Sequence, residues 1–249
     1  MMNTHIHEHS ESLLATQVMT GIEKITPSEQ VMIHQGFDYY HLCLKCSLPA
    51  QDLVTKTGIN KSAAGEFNLG YVNRTLGLSL PDPRSFDGGS QRGLYQRIGL
   101  FKVTGHERFR WALVFPLYDI DGNIVGVYGY WVRKRSSQNE GAFVLWNFDD
   151  VGIFNPQAVK KSEKLLICST PLQACQLWSR GYRHAISLMG HEITYEQVQT
   201  IFKDKPVSQV ELIQPNDLID RHQFEQLKLY LTSLGKSCSF IDSPIAING

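Results

Sequence analysis

The chain has 249 residues, 42% of them hydrophobic, which is enough for one large domain or two smaller ones with a real core. Its 24 basic and 24 acidic residues cancel, which excludes a uniformly basic nucleic-acid-binding coat but not a local basic patch. No apolar run reaches the roughly 18 residues that cross a bilayer, and the five cysteines do not indicate a disulfide framework, so we expect a cytoplasmic protein without a membrane partner.

The first quarter of the chain is predicted to be helical. Residues 1–27 are polar and are expected to form a flexible N-terminal segment, with a short amphipathic helix over 13–25. Apolar residues at helical spacing predict a second helix over 28–47. A third helix is expected to begin at Pro49 and to end near Gly58.

The middle of the chain is predicted to hold turns and then a β-hairpin. Gly, Pro, Ser and Asp are frequent over 68–105, which favours turns with short pieces of structure. Apolar runs predict strands over 110–117 and 124–132, joined by an Asp-Gly turn at 119–123. Pro116 is expected at a strand end or a sheet edge, because it has no N–H to donate.

The last third alternates short apolar runs with amphipathic stretches. The apolar runs predict strands at 165–168, 185–189, 210–213 and 237–241. The amphipathic stretches predict helices over 171–180, 194–202 and about 221–234. This alternation is typical of βαβ units with parallel strands, so the predicted fold class is α/β.

The ordered series of short motifs resembles the catalytic core of bacterial DnaG-type DNA primases. The family's Phe-x-Leu-Gly-Tyr motif is matched at 67–71, and its Phe-Pro-(apolar)-x-Asp-x-x-Gly hairpin at 115–122. The resemblance implies a mixed α+β primase-core-like subdomain over 28–160, followed by a TOPRIM-like parallel-sheet domain over 161–249. It also implies that the family's zinc-binding and helicase-binding domains are missing from this sequence.

The TOPRIM part departs from the family at its catalytic acids. The family carries a Glu and an Asp after the first TOPRIM strand and an Asp-x-Asp after the third. The corresponding positions here are Ser169, Gln173, Pro215 and Asp217. Because Mg²⁺ prefers carboxylate oxygens, we expect a degenerate site without metal or other cofactor. Mg²⁺ is expected only if the site is displaced, with Asp220, Glu211 or Asp242 as candidate ligands. Ser169 is instead expected to cap the next helix.

The cysteines have simpler interpretations than metal binding or catalysis. Cys43 and Cys46 form one Cys-x-x-Cys beside His41, but a structural zinc site needs four ligands and no second pair follows. Two helical cysteines are therefore expected there. Cys168 and Cys175 are expected to be small buried side chains.

Basic and aromatic residues gather at one end of the predicted hairpin. Antiparallel pairing brings the start of the first strand beside the end of the second, so the charges of both strands meet. Arginine and aromatic side chains suit phosphate contacts and base stacking on single strands. The candidate nucleic-acid-binding residues are Arg108, Arg110, Trp131, Arg133, Lys134 and Arg135. The alternative is a solvated charge cluster over core aromatics.

The functional hypothesis combines these features. We expect a catalytically inactive primase-core protein that acts in DNA replication or mobile-element DNA transactions, by binding single-stranded DNA or a replication or recombination protein. One alternative is an active DNA primase, or another TOPRIM nucleotidyl transferase, with a displaced metal site. The other is a pure protein-interaction subunit.

Overall fold

The computed structural model describes residues 24–131, 141–147, 149–215 and 218–244, and for residues 218 and 219 the backbone alone. The first part of the chain forms α1 (Pro27–Cys46), α2 (Leu48–Lys56), α3 (Lys61–Glu66), β1 (Gly70–Tyr71), α4 (Leu76–Ser79) and α5 (Phe86–Arg97). The middle forms β2 (Leu113–Tyr118), β3 (Ile124–Tyr130), β4 (Ala142–Leu145), β5 (Gly152–Phe154) and α6 (Pro156–Lys161). The last part forms β6 (Lys164–Cys168), α7 (Pro171–Ser179), β7 (Ala185–Met189), α8 (Tyr195–Phe202), β8 (Gln209–Ile213), α9 (Leu218–Ser233) and β9 (Ser237–Ile241).

The described strands form one nine-stranded sheet. Its order is β4-β3-β2-β5-β7-β6-β8-β9, with β1 paired to β2. Pairing is antiparallel from β4 to β7, whereas β6 pairs parallel with β7 and β8, and β8 pairs parallel with β9. The predicted α/β fold, with a hairpin region and a parallel sheet, is confirmed. The sheet itself continues past residue 160, and the division into two domains there stays a prediction.

Both faces of the sheet are covered by apolar side chains. Strand residues alternate between faces, so Leu113 and Phe115 of β2 belong to one core cluster and Val114 belongs to another. The first cluster extends across the sheet from Leu145 of β4 through Cys168 of β6 to Ile213 at the end of β8. A third cluster lies beneath α8 and α9 and includes Phe202. Two layers of helices therefore enclose the sheet.

Local capping explains where the first helices begin. The Thr26 side chain accepts a hydrogen bond from the backbone N–H of Glu29, and the Glu29 carboxylate accepts one from the N–H of Thr26, at 2.8 Å. Pro27 follows at the first helical position, where its missing N–H costs nothing. Ser47 caps α2 in the same way by accepting from the N–H of Ala50. The predicted helices over 28–47 and from Pro49 are confirmed.

The prediction of mostly turns over 68–105 is wrong for α5. Ser85 caps this helix by accepting from the N–H of Gly88 at 3.1 Å. Leu94 and Tyr95 are buried, and the Tyr95 hydroxyl donates to the carbonyl of Met32 in α1 at 2.8 Å. Burial of these side chains outweighs the low helix propensity of the glycines in α5. The composition alone shows the glycines but not the burial, so it favours turns.

The predicted position of Pro116 is also wrong, as are the outer ends of the predicted hairpin. The strands begin at Leu113 and end at Tyr130, and Pro116 lies in the middle of β2, opposite Val127 of β3. On the other side of β2, β1 pairs with Leu113 and Val114, and β5 pairs with Tyr118. Pro116 therefore lies in a gap between two short partner strands, which an uninterrupted apolar run in the sequence does not reveal.

Several predictions concern residues that the structure does not describe. The expected helix over 13–25 falls almost entirely before residue 24, and the basic segment Arg133–Arg135 and the remnant Asp217 also lie outside the described residues. Among the helices that are described, none is long and apolar enough to cross a membrane.

Gly88 tests the packing of α5. A Cβ at this position would lie 2.1 Å from the carbonyl oxygen of Asp82, whereas one at Gly89 would meet an ordinary contact at 3.7 Å. We expect Gly88→Ala to lower the free energy of unfolding by about 1–3 kcal/mol. Gly89→Ala, the matched control, should be neutral or raise it by up to about 1 kcal/mol. Urea unfolding measures both, and equal effects of the two substitutions would contradict the packing.

Candidate nucleic-acid interface

The carboxyl ends of the parallel strands form one edge of the sheet, which we call the strand edge. Ser169 follows β6, Gly190 follows β7 and Pro215 lies just beyond β8. Because β6 pairs parallel with both β7 and β8, these residues lie side by side. Ser169 is half-buried and Pro215 is buried. The structure thus places together Ser169 and Pro215, two of the four positions where the resemblance locates catalytic acids or their replacements.

The helix that begins at this edge is capped by Thr170 and not by Ser169 as predicted. The Thr170 hydroxyl accepts from the backbone N–H of Gln173 at 3.2 Å. Pro171 fixes the first helical position, so the cap has to be the residue directly before it. The Thr170 side chain also interacts with the hydroxyl of Tyr128 of β3, and burial raises the pKa of Tyr128. The strand edge is thereby tied to the hairpin.

Two of the family's acidic positions at the strand edge carry neutral side chains. Ser169 and Gln173 offer neutral oxygens, and Gln173 is 8% exposed. Of the candidates for a displaced site, Glu211 forms an ion pair with Lys164 at 2.6 Å. That pair lies toward the amino ends of β6 and β8, away from the strand edge. Asp242 is exposed, one residue beyond β9.

The cysteines lie where the sequence predicts them. Cys43 and Cys46 are in the last turn of α1, while the ring nitrogen Nδ1 of the neighbouring His41 bonds to the carbonyl of Leu69 at 2.7 Å. Cys168 and Cys175 are buried, and burial raises the pKa of both thiols, which keeps them protonated and unreactive at neutral pH.

The open end of the hairpin forms a second feature, which we call the ribbon end. Leu113 pairs with Tyr130, so the residues before β2 lie beside those after β3, as predicted. The Trp131 indole N–H donates to the carbonyl of Arg110 at 3.0 Å, and its ring stacks on Phe109 at 5.8 Å. Trp131 is consequently half-buried and holds the backbone of Arg110 in place.

Arg108 and Arg110 differ in their surroundings. The Arg108 Nε donates to the carbonyl of Gly99 at 2.7 Å, and burial lowers the pKa of its guanidinium. Part of the Arg108 side chain therefore supports the loop after α5. Arg110 is half-buried at the end of the ribbon, directly before an aromatic residue.

That aromatic residue is Trp111, which the sequence places among the aromatics of the basic cluster but which is not one of the six predicted contact residues. Its side chain is 50% exposed and its backbone is left-handed, with φ of 66°. The Trp111 N–H donates to the carbonyl of Val72, and its ring lies 6.4 Å from that of Tyr71. The predicted strand over 110–117 includes Trp111, whereas the observed strand begins at Leu113, so Trp111 lies before the sheet and is exposed.

The ribbon end and the strand edge lie close to each other. The Phe143 ring, at the start of β4, lies 5.7 Å from the ring of His191, which follows Gly190 at the strand edge. Burial lowers the pKa of His191, so its ring is neutral at pH 7. Gly141, the first described residue after the basic segment, approaches the Tyr128 hydroxyl so closely that a Cβ would lie 1.9 Å from it. Trp131, the last described residue before the basic segment, therefore lies at the ribbon end, and Gly141, the first described residue after it, lies beside the strand edge.

Asp150 is an acidic residue of the strand edge that sequence reasoning missed. Gly152 pairs antiparallel with Met189, so residues just before Gly152 extend past the end of β7. Burial raises the pKa of Asp150 to about 6, and the charges of Asp119 and Asp149 add to the increase. The sequence contains no signal for this position, because the pairing of β5 with β7 places it there.

Comparisons with known proteins agree with this architecture. No protein-family model matches the chain. A DNA primase of Buchnera aphidicola (subspecies Baizongia pistaciae) is 26% identical over 175 residues, which cover 67% of this chain and 30% of the relative. The zinc-binding and RNA polymerase domains of Aquifex aeolicus primase match with a TM-score of 0.70 at 18% identity, over 89% of this chain and 56% of the other. A DnaG primase catalytic domain bound to single-stranded DNA matches with a TM-score of 0.68 at 16% identity, over 88% and 75%.

Sequence similarity and fold point to the same relatives. The chain is a homologue of the catalytic core of DnaG-type DNA primases, in sequence and in fold. It spans about 30% of the length of the curated relatives it matches.

The prediction that the protein has no cofactor is contradicted by the same comparisons and is withdrawn. The relatives are DNA primases, and the Aquifex aeolicus primase of the same fold carries a zinc-binding domain. Among the described residues, no group of three or more His, Cys, Asp or Glu side chains is arranged to hold a metal ion. It is the relatives, and not the geometry of this chain, that overturn the prediction.

Asp150 gives the strand edge a pH dependence. Because its pKa is raised in the folded state, folding binds a proton between about pH 4 and pH 6, and the free energy of unfolding falls as the pH rises through that range. We expect Asp150→Asn to raise the free energy of unfolding at pH 8 by about 1 kcal/mol. This is less than the full pKa shift implies, because solvent screens the charge of a partly exposed group. The gain should be absent at pH 4. Urea unfolding at both values measures it, with Asp121→Asn at the exposed hairpin turn as control, and an equal gain at both pH values would refute this origin.

Proposed function

We propose that this protein binds single-stranded DNA as a primase-core protein of DNA replication, and that the ribbon end is the contact surface. The observation that carries the proposal is the exposed Trp111 beside Arg110, at the point where the chain enters the basic segment 133–135. Aromatic rings stack on unpaired bases, while basic side chains contact the phosphates on either side. The match to a DnaG catalytic domain bound to single-stranded DNA supports the proposal.

The charge of the ribbon end fits this role better than the charge of the whole chain does. Lys, Arg, Asp and Glu cancel overall, so nonspecific attraction over the whole surface is weak. The predicted contacts Arg108, Arg110, Arg133, Lys134 and Arg135 are close in sequence to the two termini of the ribbon. In this proposal Trp131 is a positioning residue, because its ring is stacked on Phe109 and its N–H bonds to the backbone of Arg110.

We further propose that the protein does not synthesise primers through the strand edge. Nucleotidyl transfer needs carboxylates to organise the attacking and leaving oxygens of the phosphate. Ser169 and Gln173 are neutral where the family carries a Glu and an Asp, and the Glu211 carboxylate is paired with Lys164. Binding without synthesis would suit a protein that holds a template or recruits a replication or recombination partner.

The basic segment is tested by the salt dependence of binding. Each phosphate neutralised on a single strand contributes roughly −0.7 to the slope of log affinity against log salt. Replacing Arg133, Lys134 and Arg135 by Ala should flatten that slope by up to about 2 units. The measurement is fluorescence anisotropy with a labelled oligothymidine between 50 and 300 mM NaCl.

The matched control replaces three lysines near the amino ends of the parallel strands, Lys160, Lys161 and Lys203. This control should leave the slope unchanged. If the Arg133–Arg135 variant binds as tightly as the parent and with the same slope, the segment is a solvated surface, and the protein-interaction alternative replaces this proposal.

Catalysis is tested with ribonucleotides, Mg²⁺ and a single-stranded template, with an active bacterial primase as the positive control. We expect no primers from this protein, because three of the family's four carboxylate positions carry Ser169, Gln173 and Pro215. Template-dependent synthesis by the unmodified protein that is lost in Asp217→Asn would overturn the proposal of inactivity. Such a result would favour an active primase with a displaced metal site. The salt titration would still decide the DNA-binding proposal independently.

A further inference from the structure

A cavity of about 320 Å³ opens between α1, α2 and α3. Leu44, Val54 and Ala64 contribute its apolar floor, one residue from each helix, and all three are buried. This volume lies at the lower end of the range of small-molecule sites, which are mostly apolar and carry a few polar groups.

The cavity is separate from the strand edge. Asn60, which begins α3, bonds to Ser179 at the C-terminal end of α7, whereas Thr170 of the strand edge begins that helix. The nine residues of α7 therefore stand between them, about 13 Å at 1.5 Å per residue.

The walls of the cavity are fixed by hydrogen bonds between and within its helices. The Gln51 side-chain amide donates to the carbonyl of Lys45 at 2.6 Å and closes the end of α1 onto α2. Asn60 caps α3 by accepting from the N–H of Ala63 at 2.8 Å. On the α1 side, His41 is held by its bond to the carbonyl of Leu69. A cavity with walls held in this way is preformed, so a ligand does not have to order them on binding.

The charged lining residues of the cavity are both positive. Lys45 and Lys61 are exposed lining residues, from α1 and α3, and no Asp or Glu lines the cavity. Within the described part of the chain, neither lysine has a carboxylate at ion-pair distance. An apolar floor below two unpaired ammonium groups is complementary to a molecule with an apolar body and an anionic head.

We propose that this cavity binds a small organic anion, an aliphatic or aromatic body that ends in a carboxylate or a phosphate. The body would pack on Leu44, Val54 and Ala64, and the head would lie between Lys45 and Lys61. This inference is independent of DNA binding, since none of these residues belongs to the ribbon end.

The first experiment compares four eight-carbon probes by isothermal titration calorimetry on the full chain: octanoate, octyl phosphate, octanol and octylammonium. Octanoate or octyl phosphate should bind at one site per chain and at least tenfold more tightly than octanol, and octylammonium should bind most weakly. Whichever anion binds more tightly identifies the head group. Equal binding of octanol and both anions, or no saturable binding of either anion, would overturn the proposal.

Two sets of variants locate the site. Lys45→Met with Lys61→Met keeps the aliphatic stems and removes the charges, so it should abolish the preference for the anion, whereas Lys56→Met on α2, which does not line the cavity, should not. Gly65→Leu should block the cavity, since a Cβ there meets nothing within 4 Å, and Gly93→Leu on α5 is the matched control. If Gly65→Leu does not fold by circular dichroism, the lysine variants decide. Unchanged anion binding in the folded Gly65→Leu variant, or in the double lysine variant, would refute the site.

Discussion

The architecture depends on the pairing of one three-residue strand, β5, with two neighbours. Gly152–Phe154 pairs with Met189, Leu188 and Ser187 of β7 on one side, and Ile153 pairs with Tyr118 of β2 on the other. Ile153 and Phe154 are fully buried, and a Cβ on Gly152 would lie 2.8 Å from the Cβ of Leu117. Because β5 is held on both sides, the hairpin and the parallel strands become one sheet.

The position of both functional features follows from that sheet. If the halves were joined by a flexible linker, the ribbon end and the strand edge could adopt many relative positions. Instead, the ring contact of Phe143 with His191 and the interaction of Thr170 with Tyr128 join them across the sheet. In the proposed function, a single strand bound at the ribbon end would run beside the strand edge, where the resemblance places the family's catalytic acids and this chain has Ser169 and Gln173.

Much of the fold could be predicted from the sequence, because burial on both faces leaves a strong local signal in parallel strands. The runs at 165–168, 185–189 and 237–241 match β6, β7 and β9 to within one residue at each end, and the Asp-Gly turn lies between β2 and β3. Errors arose where a tertiary contact overrides a local preference. Tyr95 buries a glycine-rich helix against α1, and Pro116 occupies a gap that depends on which strands pair with β2.

The site was harder to predict than the fold. Ser169 and Gln173 lie directly after β6 and in the first turn of α7, because a strand followed by a helix fixes which residues lie at that edge. The exposure of Trp111 depends on a left-handed backbone, and the position of Asp150 depends on the pairing of β5. The cavity between α1, α2 and α3 requires three helices to meet, so no single stretch of sequence could reveal it.

The central claim is that single-stranded DNA contacts the ribbon end, and a photochemical cross-link tests it most directly. An oligothymidine with 5-iododeoxyuridine is irradiated with the protein, and the adducts are mapped by mass spectrometry. Phe86 serves as an internal control because it is 89% exposed. It begins α5, whereas Arg108 contacts the loop at the other end of that helix. We predict adducts on Trp111 or on the peptide that contains residues 132–140, none on Phe86, and loss of the Trp111 adduct above about 0.5 M NaCl because salt screens the phosphate contacts. Adducts that are absent from the ribbon end, or equally frequent on Phe86, would contradict the account.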